Sequence, residues 1–104
     1  MLLNCNDLED LTDMLACMVI WAPDFPDDIH LTLNEAFEFI YQGVEVLKVQ
    51  YEKNPKAIAL LEEVYQLFDK SKQEYFTEEI DGGRFTLQDA EELLSELKKM
   101  KKNG

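Results

Sequence analysis

NEAFEFIYQGVEVLKVQYEKNPKAIALLEEVYQLFDKSKQEYF, residues 34–76, is the stretch whose reading decides the fold. With Leu33 just ahead of it, apolar residues recur at Phe37, Ile40, Val44, Leu47 and Tyr51, steps of three and four that share one side of an α-helix. Asn54-Pro55 interrupts the pattern, which then resumes at Ile58, Leu61, Tyr65 and Phe68. Asn is a good N-cap, and proline suits the first helical position because its missing N–H would have no intrahelical partner there. The stretch therefore reads as two antiparallel helices joined by a tight break.

Upstream, Thr32-x-x-Glu35 is a capping box that opens the first of this pair, expected to run to about Lys53. Phe39, Val46 and Val49 lie off its main stripe, so this helix is apolar on more than one side and either belongs at the centre or meets a partner with part of its surface. Residues 6–21 predict an earlier helix with Leu8, Leu11, Leu15, Met18 and Val19 as its stripe and Asn6 as its cap. Asp10 and Asp13 face outward from it. The segment Trp21-Ala-Pro-Asp24-Phe25-Pro-Asp27-Asp28 ends that helix, since each proline disfavours α geometry in the residue before it.

Downstream, the helix from Pro55 is expected to reach Phe76 or Glu79, with Ala57, Leu60, Val64 and Leu67 as a second apolar row. Asp81-Gly82-Gly83 reads as a turn. Arg84-Phe85 reads as an extended pair, and Thr86-x-x-Asp89 as the start of a last helix carrying Leu87, Ala90, Leu93, Leu94 and Leu97. Lys98, Lys99, Lys101 and Lys102 crowd its end, where cations suit the helix dipole, and Asn103-Gly104 is expected to fray. The prediction is all-α: a small antiparallel bundle of four helices, one domain over residues 1–104.

Charge is the outlying property of the composition. Twenty-two acids against ten bases give −12, and residues 1–31 hold seven of the acids with no Lys or Arg. Such a field repels nucleic acid and anionic membrane and attracts basic partners, although solubility alone also favours an acidic surface. The start of the chain has no basic segment ahead of an apolar one, and no apolar run approaches the ~20 residues of a membrane span, so a cytoplasmic protein is expected. Cys5 and Cys17 are then expected as reduced thiols.

Chemistry-bearing patterns are sparse. Nucleophilic catalysis needs a base beside Ser or Cys, and the single histidine, His30, reads as a surface or capping residue at the edge of the acidic loop. Cys5, Cys17 and His30 lack zinc-ligand spacing. Glu78–Asp89 loosely follows a calcium loop, with Gly83 at its sixth position. It offers Ile80 and Gly82 where oxygen ligands are needed, and Asp in place of the final Glu. No enzyme, metal or cofactor is expected, and no direct binding of nucleic acid or membrane.

What remains is a binding protein. Trp21 and Phe25 sit among carboxylates in a proline-stiffened loop, which would suit an anchor in a basic cleft; alternatively they fold back as a lid on the core. The expected partner-binding residues are Asp10, Asp13, Trp21, Asp24, Phe25, Asp27, Asp28, Glu38 and Glu45. Val46–Phe76, with its Tyr51-Glu-Lys-Asn-Pro55 break, Leu60-Leu61 and Gln66-Leu67, resembles the small all-helical immunity proteins encoded beside bacterial toxins of type VI secretion and related systems. That resemblance implies an inhibitor that binds a basic toxin domain and occludes its active site, with no catalytic residue of its own. Two other readings stay open: an acidic nucleic-acid mimic of phage or plasmid origin, and a helical adaptor that self-associates, for instance as a homodimer.

Overall fold

Asn54 and Pro55 form the hinge of the observed structure much as their chemistry requires. The computed structural model describes residues 4–102; Asn103 and Gly104, expected to fray, lie outside them. It contains α1 (Leu8–Trp21), a short 3-10 turn (Asp27–Ile29), α2 (Leu33–Gln50), α3 (Pro55–Phe76) and α4 (Ile80–Leu97). The Asn54 side chain accepts from the Ala57 N–H at 3.2 Å and so caps α3, with Pro55 in its first turn. Thr32 and Glu35 make the reciprocal capping box at the start of α2, and these hydrogen bonds hold the Glu35 carboxyl below the usual carboxylate range. α2 stops at Gln50, a little short of the expected Lys53, and Tyr51–Lys53 form the turn.

Each helix packs on its chain neighbours, and α4 returns to α1 to close a ring of four. Cross-helix bonds set the directions. The Asn54 amide donates to the Lys101 carbonyl, so α3 begins where α4 ends, and an Arg84 Nη donates to the Ala22 carbonyl, so α4 begins where α1 ends. The Gln50 amide donates to Asn6 O, which puts the end of α2 beside the start of α1. The architecture is the expected antiparallel four-helix bundle. Leu11, Leu15, Met18, Phe37, Ile40, Val44, Leu47, Leu61, Val64, Phe68, Leu87, Ala90, Leu94 and Leu97 are wholly buried in its shared core. Each large apolar side chain among them contributes about 1.5–3 kcal/mol by leaving water.

Three local expectations are corrected. Asp7 caps α1 in place of Asn6: its carboxylate accepts from Asp10 N–H at 2.9 Å, while the Asn6 N–H donates to the Asp10 carboxylate. Tyr65 of the first row lies at the surface, whereas Ala57 and Val64 of the second apolar row are buried with Leu61 and Phe68, in keeping with a helix packed against both α2 and α4.

The third correction concerns the break before α4. Asp81-Gly82-Gly83 is not a turn, Arg84-Phe85 is not extended, and Thr86 does not start a helix; all lie inside α4. The turn falls earlier, at Thr77–Glu79. There Glu79 N–H donates to Glu74 O and Glu78 N–H to Tyr75 O, with Glu78 at φ 67°. This is the paired-bond ending that usually places glycine in the left-handed position.

The glycines serve close packing instead. A Cβ on Gly83 would stand 2.7 Å from the Tyr75 ring, and one on Gly82 would stand 2.5 Å from the Glu74 carboxylate. Thr86, expected to cap, is buried, and its hydroxyl lies 2.6 Å from Glu74 Oε1 and 2.9 Å from the Gly82 carbonyl. Two substitutions should therefore act in opposite directions in urea unfolding. Gly83→Ala should destabilise by about 1–3 kcal/mol through overpacking. Glu78→Gly should stabilise by about 0.5–1 kcal/mol by relieving a left-handed non-glycine residue.

Candidate partner-binding surface

Burial of Leu8, Leu11, Leu15 and Met18 turns an adjacent row of α1 outward: Asp10, Asp13 with Met14, and Cys17, again at helical spacing. This row forms one wall of a groove of about 530 Å³. Phe39 of α2 and Ile29 and Leu31 of the connection supply apolar wall, and Asn4 and Asn6 close the end near the start of α1. The result is an apolar trough with two carboxylates along it. Its Asp10 carboxylate is oriented by the Asn6 N–H at 3.0 Å, whereas Asp13 projects freely into solvent.

The 3-10 turn Asp27–Ile29 carries the acidic chain from this groove to one end of the bundle. His30 follows it, exposed and with φ 53°, its N–H donating to Asp27 O. At this end the antiparallel packing adds acids from elsewhere in the sequence. Residues 22–32 bring Asp24, Asp27 and Asp28, and the α3–α4 junction brings Glu78, Glu79 and Asp81. Arg84 is the one base in these segments, and it already reaches Asp81 at 3.7 Å and the Ala22 carbonyl at 3.5 Å. The opposite end gathers most of the lysines, Lys53, Lys56, Lys98, Lys99, Lys101 and Lys102, on the α2–α3 turn, the start of α3 and the chain after α4, alongside the acids Asp7, Glu9, Glu52 and Glu96.

The two aromatics of the loop part company. Phe25 packs on the core, as the lid reading requires. Trp21 stays 46 % exposed next to Ile20 at 64 %, so it does not close over the interior. Of the expected contact residues, Asp10 and Asp13 share the groove, while Trp21, Asp24, Asp27 and Asp28 belong to the acidic end. Glu38 and Glu45 are exposed on α2 but do not line the groove. Sequence reasoning missed Glu78, Glu79 and Asp81 as neighbours of the loop, and Ile29, Leu31 and Phe39 as groove walls. A short-range signal for the first three existed in their own charge, but nothing in the sequence states which end of the bundle they reach.

No group of three or more His, Cys, Asp or Glu side chains among the described residues is arranged to hold a metal ion. None of the helices is long and apolar enough to cross a membrane. No family model, curated protein or solved structure matches the chain.

The cysteines differ in access. Burial, reinforced by the Asp10 charge, pushes the Cys5 thiol up to about 11, and burial also raises Cys17, which nevertheless lines the open groove. A neutral thiol favoured by the fold contributes stability that is complete below its ordinary value of 9.0 and is lost as pH rises through about 11. Burial raises Tyr41, Tyr51 and Tyr75 in the same direction. Urea midpoints should accordingly hold to about pH 9 and fall toward pH 11, with Cys5→Ala removing part of the fall. In mildly alkaline buffer a thiol reagent should label Cys17 at least ~10-fold faster than Cys5, because the thiolate is the reactive species.

Proposed function

We propose that the protein is an inhibitor of the immunity type, which binds a basic toxin domain and blocks its active site. The carrying observation is the acidic end: six carboxylates from two distant segments, one already engaged arginine, and an exposed Trp21–Ile20 pair beside them. An aromatic anchor within one-signed charge suits a cationic cleft, where the field speeds encounter and the ring supplies contact energy. The Asp10–Asp13 groove continues this surface along α1 and suits an extended segment that alternates apolar and basic residues. The resemblance of Val46–Phe76 to immunity proteins points to the same class of partner.

A nucleic-acid mimic is supported less. Glu38 and Glu45 are exposed along α2 and Glu52 in the turn after it, but the two on the helix are about 10.5 Å apart along its axis. A nucleic-acid strand carries one phosphate per ~3.4 Å of axis.

The test is stopped-flow association with the protein encoded beside this chain, at low and high salt. The wild-type chain should associate fast and lose rate as salt rises. Reversing Asp24, Asp27 and Asp28 to Lys should lower the low-salt rate at least ~10-fold and flatten the salt dependence. An unchanged on-rate in low salt overturns this contact surface.

A further inference from the structure

A second surface, sharing no residue with the groove, lies on the α2–α3 face. Tyr41, Tyr65, Asp69, Lys72, Gln73 and Phe76 line an open depression of about 540 Å³. Tyr65, Asp69, Lys72 and Phe76 follow one another on α3 at steps of four, three and four, so they form a straight stripe on its outer side. Tyr65 is 37 % and Phe76 51 % exposed, so both rings are open to a partner surface.

The order of this stripe is aromatic, acid, base, aromatic. It is symmetric about a point midway between Lys70 and Ser71: Asp69 and Lys72 are equally far from that point, and so are Tyr65 and Phe76. A twofold axis at that level, lying between two copies of α3 and perpendicular to both, would set the second α3 antiparallel against the first. Asp69 would then face Lys72 of the second copy, and Tyr65 would face Phe76 of the second copy. Isologous interfaces require such self-complementarity, and few arbitrary surface rows have it.

α2 holds the stripe in a set geometry. The Tyr41 hydroxyl donates to Asp69 Oδ1, which leaves Oδ2 available to an incoming ammonium. The Lys72 ammonium lies 5.7 Å from the Tyr41 ring centroid, and the Lys48 ammonium 5.7 Å from that of Tyr65. The Tyr41 and Tyr65 rings are themselves 5.0 Å apart. Side chains ordered before contact lose less entropy on association. We propose that this face is a homodimer interface, two copies pairing α3 against α3 about a twofold axis that runs between the two helices at the level of residues 70–71. It leaves the Asp10–Asp13 groove of both copies open, since none of the groove's lining residues lies on α3.

Sedimentation velocity over about 5–500 µM tests the proposal, since a small interface of this kind is expected to dissociate on the order of 10 µM. The wild-type chain should shift from monomer to dimer across that range. Asp69→Lys and Lys72→Asp should each stay monomeric, because the axis sets like charges opposite one another. Mixed in equal amounts, the two variants should recover a dimer, with both lysines on one copy facing both aspartates on the other. Tyr65→Ala should weaken the wild-type dimer at least ~10-fold. A wild-type chain monomeric at every concentration overturns the interface. So does a dimer indifferent to the single reversals, or a mixture that fails to pair although both variants keep the wild-type circular dichroism spectrum.

Discussion

The arrangement depends most on the close approach of α4 to α3 at Gly82 and Gly83. Without side chains there, the first turn of α4 settles onto Tyr75 and Glu74, and the buried Ser71 hydroxyl donates to the Gly83 carbonyl at 2.9 Å. Thr86, one turn on, ties Glu74 to the same backbone. A buried hydroxyl is stabilising only when its partner is met, so these bonds set the rotation of α4 as well as its distance. Both follow from where the glycines stand.

That seat has consequences at the end of the bundle. It aims Arg84 at the Ala22 carbonyl and so fastens the start of α4 to the end of α1. The α3–α4 junction is thereby carried to the Trp21–Asp28 loop, and two runs of acids fifty residues apart in sequence become one pole. Helix direction does the rest. Because the chain runs alternately up and down, the lysines near α3's start and after α4 gather at the other end. The net charge of −12 conceals this separation.

The two proposed surfaces differ in chemistry as well as position. The acidic end and groove are one-signed, and such a surface repels its own copy while attracting a cation. The α3 stripe carries an acid and a base with rings at both ends, and can satisfy itself. A one-signed face favours a foreign partner, and a mixed, symmetric one favours a second copy.

What the sequence determined by itself is local. The caps at Thr32 and Asn54, the apolar periods of all four helices and the prolines after Trp21 were legible because each acts within four or five residues of itself. Together they imply four helices and a bundle. The glycines misled for the same reason: read locally they mark a turn, yet their role is set by Tyr75 and Glu74 across an interhelical contact. The tertiary structure alone decided that Phe25 goes inward while Trp21 stays in water, that Tyr65 yields its core position to Val64, and that Glu78, Glu79 and Asp81 join the loop. Those outcomes depend on which helices become neighbours, and pairing is a property of the whole packed core that no short window of residues contains.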